Sequence, residues 1–378
     1  MGKRSRKPSG FSQSSPIKNN QSSAQESLTD NAAKKQHAIA LINQGKLKEA
    51  ELIYKQLIYA GTKDHIVFCN YAAICGMEGR LDELIELLNH ALTLKPEYPD
   101  AHLNLGHALK AQGKLNAAID AYNNALSFEP NYPEAYFGLG NTLKEGGNVT
   151  AAISSYKNAL SIKPNYPEAL LNLGNALKDH GDLKAAISSY NNALSIRPDY
   201  TEALLNLGIT FQKHGDLKAA ISSYNHALSI KPNDPEVLLN LGSTLQEQGD
   251  LKAAISSYNH ALSIKPDDPQ TLLNLSMAEL LSYNYKTGLE NYECRFQVKS
   301  GQNTLKSSPR CEQWRSGAIK KGDDLLLVCE QGLGDTLQFM RYAIAMHNQG
   351  IKVSLCAQPR LHTLIKESGI QASLLTPE

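Results

Sequence analysis

Six asparagines, Asn70, Asn104, Asn172, Asn206, Asn240 and Asn274, recur at intervals of 34 residues or twice that, with Gly138 in the skipped place. A carboxamide carries two N–H donors and a carbonyl acceptor, so it pairs with a peptide group in both directions. A column of such groups would grip an extended polypeptide by its backbone, with little regard to sequence. The plainer reading is a solvent-facing column kept by the repeat pattern alone. A second chemical feature is the tight turn Gln331-Gly332-Leu333-Gly334-Asp335. A dinucleotide-binding loop is excluded there: its third glycine would fall at Leu337, and no acid closes the next strand to hold a ribose. Asp335 can cap the helical pattern that starts at Thr336.

The elements that carry the asparagines follow from the repeat. Pro96, Pro130, Pro164, Pro198, Pro232 and Pro266 are evenly spaced by 34 residues, which sets unit starts at 65, 99, 133, 167, 201 and 235. Each unit reads as two amphipathic helices. In the unit from Pro99 the first holds Leu105, Gly106 and Leu109, the second Ala118, Tyr122 and Ala125, and the next units copy these places. Gly at the eighth place and Ala at the twentieth are small enough for the two helices to pack closely. Pro99, Pro133, Pro167, Pro235 and Pro269 suit a first turn, where no N–H donor is needed. Asp182, Asp216 and Asp250 follow a Gly turn and suit the cap of a second helix. Residues 31–64 and 269–302 are weaker copies and read as terminal caps, giving about eight units.

Composition bounds the rest. The chain has 378 residues and a net charge of +1, but residues 1–30 hold Lys3, Arg4, Arg6, Lys7 and Lys18 against Glu26 and Asp30. The charge surplus therefore lies in a basic N-terminal arm, read as disordered, and the remainder has no basic footprint for nucleic acid. Met1-Gly2 opens like a myristoylation signal, but Arg6 stands where Ser or Thr is required. No apolar run is long enough to span a bilayer. The six cysteines are scattered without a C-x-x-C pair, which suits reduced thiols in the cytoplasm. Neither a metal nor a cofactor is implied.

With these places filled as quoted, residues 31–302 resemble the tetratricopeptide-repeat (TPR) family. The resemblance implies an all-α solenoid, a right-handed superhelix of helix pairs whose first helices line a concave groove. The first helices also vary most, at the ninth place (His107, Asn141, Asn175, Ile209, Ser243) and the thirteenth (Ala111, Glu145, Asp179, Lys213, Glu247). Variation there coincides with the implied ligand groove. The asparagine column is similar to one in the repeat array of protein O-GlcNAc transferases. The carboxylate clamp of chaperone-binding members is disfavoured, because Asp100, Glu134, Glu168, Glu202 and Glu236 hold the place where that clamp needs a cation.

Residues 303–323 read as a linker and residues 324–378 as an incomplete, Rossmann-like α/β segment: strands at 324–330, 351–356 and 371–375 with helices between. Gly288 to Phe296, Trp314 and Glu330 to Tyr342 are similar to bacterial TPR proteins with a heptosyltransferase-like glycosyltransferase domain. That resemblance implies Asp335 as base for an acceptor hydroxyl, beside its reading as a helix cap. The second, nucleotide-sugar-binding lobe such enzymes need is not in the sequence, so the chain alone is expected to transfer no sugar. The leading expectation is a protein-interaction scaffold binding extended polypeptides. The alternative is a component or truncated form of a protein glycosyltransferase using a nucleotide-sugar.

Overall fold

The structure is a computed structural model that describes residues 24–292, 294, 322–328, 343–356, 361–367 and 373–375. It comprises two compact units, Met1–Pro232 and Asn233–Glu378. In unit 1 the described helices form consecutive pairs: α1 (Ala24–Asn43) with α2 (Leu47–Tyr59), α3 (His65–Met77) with α4 (Leu81–Leu94), α5 (Pro99–Ala111) with α6 (Leu115–Phe128), α7 (Pro133–Glu145) with α8 (Val149–Ile162), α9 (Pro167–His180) with α10 (Leu183–Ile196), and α11 (Thr201–His214) with α12 (Leu217–Ile230). In unit 2, α13 (Pro235–Gln248) pairs with α14 (Leu251–Ile264), and α15 (Pro269–Leu281) with the shorter α16 (Tyr285–Tyr292). No strand occurs among the described residues from 24 to 292. The first helix starts inside the span read as a disordered arm, because Ala24 to Asp30 contains neither proline nor glycine to stop it.

Local chemistry explains the boundaries. Helices α5, α7, α9, α13 and α15 each open on a proline, whose fixed φ and missing N–H suit the first turn. Between the helices of a pair the chain turns through a left-handed glycine, as at Gly181 (φ 92°) and Gly215 (φ 88°), except between α15 and α16, where Tyr283 (φ 65°) takes that conformation. The side chains of Asp182, Asp216 and Asp250 then accept from the N–H groups of Ala185, Ala219 and Ala253. Asn148 caps α8 in the same way. Asp64, Asp234 and Asp268 also cap first helices, which the repeat pattern did not single out.

Packing within a pair centres on one ring. Tyr54, Tyr122, Tyr156, Tyr190 and Tyr224 in unit 1, and Tyr258 in unit 2, are wholly buried at the twenty-fourth place of their repeats. The eighth-place glycine makes room for that ring rather than for close contact of the two backbones. A Cβ on Gly174 would lie 2.5 Å from the Tyr190 ring, and one on Gly208 would lie 2.4 Å from that of Tyr224. Glycine gives way to Ala38 beside Tyr54 in α1/α2 and to Ser276 in α15, and α3/α4 departs in both places, with Ala72 and Leu88.

An ionic network in unit 1 ties α2, α3 and α4 together. Arg80 pairs with Glu51 (3.2 Å), Glu78 (2.6 Å) and Glu83, Lys55 pairs with Glu51 (2.8 Å), and the Tyr71 hydroxyl lies between Glu51 and Glu83. Lys55, Tyr71 and Arg80 hold the Glu51 carboxyl below its ordinary value against the opposing effect of burial. Tyr71 and Arg80 do the same for Glu83. A lowered carboxylate contributes stability above its unfolded value and loses it as pH falls through the folded one. Unit 1 should therefore weaken below about pH 4.5. Glu51→Gln should flatten that acid slope while costing roughly 0.5–1 kcal/mol at neutral pH. Urea midpoints from pH 7 to 3 test this, and equal slopes for the two proteins would refute it.

Unit 2 also holds three parallel strands, β1 (Asp324–Val328), β2 (Lys352–Cys356) and β3 (Ser373–Leu375), in the order β1-β2-β3. Leu325 stands opposite Val353 and Leu327 opposite Leu355. Residues 343–348 are helical, and α17 (His362–Glu367) lies between β2 and β3. Ala343, Ile351, Val353, Leu355, Leu361 and Ile365 bury a small apolar core beside this sheet. The parts of the expected strands at 329–330 and 371–372 lie outside the described residues.

Candidate functional site

The first helices α5, α7, α9 and α11 of unit 1 form a continuous surface, since α5 touches α7, α7 touches α9 and α9 touches α11. The asparagine column lies along these helices, and its members differ in what they meet. Asn104 is exposed and forms no side-chain hydrogen bond among the described residues. Asn172 and Asn206 are half-buried, and Asn70 is buried. The expected solvent-facing column is thus corrected: the sixth place lies over the tyrosine of the preceding pair, so most members are partly covered. Burial pushes the Tyr54 phenol up to about 12, and Asn70 beside it opposes the shift. Asn172 donates to Asn141 Oδ1 at 2.8 Å, and the same oxygen accepts from the Tyr156 hydroxyl at 2.7 Å. Asn206 donates to its own helix at Glu202 O (3.0 Å) and accepts from Lys178 Nζ (2.8 Å). At the skipped place Gly138 lies directly against the Tyr122 ring, which leaves no room for an asparagine there.

In unit 2, Asn240 donates to Glu236 O at 2.8 Å, and Asn274 accepts from Gln270 at 3.0 Å. Asn274 also stands beside the Tyr258 phenol, which burial raises. These bonds are local and weak, and a peptide group of a ligand can replace them at little net cost.

Charges in unit 1 run beside the column. Lys110 pairs with Glu145 of the next first helix at 3.0 Å, and Lys144 with Asp179 at 3.1 Å. The next step breaks the pattern, because Lys213 occupies the acid's place. Lys178 bonds to Asn206 instead; burial lowers its pKa, Lys213 and Lys144 reinforce the fall, and Asp179 opposes it. The second-place acids are engaged by their own repeats: Glu134 by Lys163 at 2.9 Å, Glu168 by Arg197, and Asp100 by the Tyr132 hydroxyl at 2.7 Å. The surface therefore offers amides and exchangeable ion pairs, which suits a polypeptide rather than one fixed anion.

A cavity of about 370 Å³ opens in unit 1 between α3, α4 and α5. Asn104 and His107 line it on one side, Ala72, Ala73, Gly76 and Leu88 on the other. Sequence reasoning missed it, although a signal was present: the twenty-fourth place of α3/α4 is the one that is not tyrosine. Asp335, together with Phe296 and Trp314, lies outside the described residues. Among the described residues no group of three or more His, Cys, Asp or Glu side chains could hold a metal ion, and no helix is long and apolar enough to cross a membrane.

A family model described as a TPR repeat matches residues 78–113, 106–147, 140–181 and 174–215. A second, described as a tetratricopeptide repeat, matches residues 211–276. Among solved structures, the C-terminal part of a TPR repeat-containing protein from Cytophaga hutchinsonii is 17% identical, with a TM-score of 0.54 over 64% of this chain and 98% of that one. MamA is 27% identical, with a TM-score of 0.42 over 43% of this chain and 95% of its own. YrrB, described as a TPR protein with an unusual peptide-binding site, is 21% identical, with a TM-score of 0.44 over 49% and 95%. No curated protein matches the chain. The family matches end at residue 276, and none of these comparisons supports the resemblance of residues 288–378 to glycosyltransferases.

Proposed function

The chain belongs to the tetratricopeptide-repeat family, and from that premise we propose that it is a protein-interaction scaffold whose first-helix face holds extended polypeptides by their backbones. One observation carries the reading: of the touching first helices α5, α7, α9 and α11, three present a carboxamide at the same helical place, Asn104 exposed and Asn172 and Asn206 held by bonds to their own helix or to the preceding first helix. Stability in such arrays comes from stacking of neighbours, which leaves the side chains of one face free for recognition. Among the described residues Cys69, Cys75 and Cys356 are free thiols, which supports a reducing compartment such as the cytoplasm.

Replacing Asn104, Asn172 and Asn206 together by alanine should weaken binding of an unfolded polypeptide, such as reduced and carboxymethylated lactalbumin. Each lost contact costs on the order of 1 kcal/mol. Unrelated unfolded sequences should weaken by a similar factor, because the backbone is what is gripped. The melting curve should change little, since each asparagine gives up at most one or two part-exposed hydrogen bonds and no apolar packing. Unchanged affinity in the triple variant would mean that the column is consensus alone.

A further inference from the structure

The cavity beside α5 exists because several places of one repeat are smaller than their counterparts. Leu88 stands where every other pair from α1/α2 to α13/α14 has a buried tyrosine. Ala73 stands where the following first helices carry His107, Asn141, Asn175, Ile209 and Ser243, and Gly76 where they carry Lys110, Lys144, Lys178, Gln212 and Gln246. Leu84, in a place that is alanine in the following repeats, takes back the space beside Gly76, and the cavity that is left measures about 370 Å³, within the range of ligand pockets.

We infer that this cavity is a side-chain pocket of the polypeptide-binding face and takes an aromatic residue of the bound chain, beside the Asn104 carboxamide that pairs with the backbone. The inference rests on the scaffold reading above. The occupant's chemistry is argued from the molecule itself, since neighbouring repeats fill the equivalent space with a tyrosine ring held against glycine and alanine. The wall suits an aromatic ring. Cys69 lines it as a neutral thiol, pushed up to about 12 by burial and, less, by Asp100 and Asp64. Met77 lies at the same wall, and sulfur next to a ring edge is a favourable contact. His107 presents its ring to the cavity, its pKa lowered by desolvation and, less, by Lys110. Asn104 is the one exposed member of the column, with donors and acceptor unused.

The test fills the pocket as the chain fills it elsewhere. The double variant Ala72→Gly/Leu88→Tyr copies the pairs from α5/α6 to α13/α14. Leu88→Tyr alone copies the Ala38–Tyr54 combination of α1/α2, and Ala73→Ile copies α11; these serve if the double variant does not fold. The probes are p-cresol, followed by ligand-observed NMR, and the heptapeptide Gly-Ser-Gly-Tyr-Gly-Ser-Gly with its Tyr→Ala counterpart. The unaltered chain should bind p-cresol, and a filled variant at least tenfold more weakly. The tyrosine peptide should displace p-cresol and the alanine peptide should not. Equal p-cresol binding by the filled and unaltered chains, or none by the unaltered chain, overturns the pocket. Displacement by neither peptide overturns its assignment to a polypeptide side chain. The triple asparagine variant retains the apolar walls, so loss of lactalbumin binding with p-cresol binding kept separates the two readings.

Discussion

Replacing Tyr190 by alanine is expected to cost about 3–5 kcal/mol, the usual range for emptying a buried aromatic site. The ring is wholly buried, its hydroxyl donates to Asn175 Oδ1 at 2.8 Å, and it belongs to the main apolar cluster of unit 1 with Leu173, Leu177 and Leu207. The loss falls on the stacking of neighbouring pairs, so unfolding in urea should split into two stages around α9 and α10. A companion variant tests the fit from the other side. Gly174→Ala places a Cβ 2.5 Å from the Tyr190 ring. Overpacking of about 1–3 kcal/mol, offset by up to about 1 kcal/mol of helix propensity, leaves a net loss. Adding Tyr190→Leu should then cost less than in the Gly174 background, with a coupling of about 0.5–3 kcal/mol. The chain already pairs alanine with leucine once, as Ala72 with Leu88, and with tyrosine once, as Ala38 with Tyr54. Additive effects would mean that glycine and ring are not fitted to each other.

The second large effect is expected from the caps. Asn148, Asp182 and Asp216 each satisfy one N–H at the start of a second helix, share no partners, and sit in different pairs. Alanine at all three should cost about 3 kcal/mol in sum, roughly 1 kcal/mol per cap. Asparagine at 182 and 216 should retain most of that stability, which separates the hydrogen bond from the charge. Helices α2, α4 and α6 follow Lys46, Arg80 and Lys114 and have no side-chain cap. Lys114→Asp should accordingly add about 1 kcal/mol. Thermal melts of the four proteins give the answer, and an unchanged midpoint in the triple alanine variant would reject the role.

Much of this was legible in the residues because it depends on neighbours in sequence. Proline in a first turn, and aspartate after a glycine turn, act within four residues, so Pro167 and Asp182 announce their helices without tertiary information. The small eighth place was legible as well, but its occupant was not: Gly174 and Tyr190 meet across sixteen residues and two helices. The burial of Asn70 and the tethering of Asn206 were hidden for a related reason. A column of identical residues looks uniform in sequence, whereas its environment is set by whichever tyrosine, lysine or glycine the preceding pair provides. The cavity is the converse case. Leu88, Ala73 and Gly76 are unremarkable one at a time, and only their convergence on one point makes a space.

Helices α12 and α14 have the same sequence, LKAAISSYNHALSI, and α10 differs from them at a single residue. Each presents the same tyrosine and the same alanines, so a first helix gains almost nothing by choosing its own partner over one a repeat away. Misregistered chains, with one repeat looped out, should therefore form during refolding as kinetic traps of nearly native energy. What disfavours them is the looped-out repeat's own lost stacking, together with the first helices, whose sequences do differ. The residues that diversify the first-helix face thus also carry the information that counts the repeats into place.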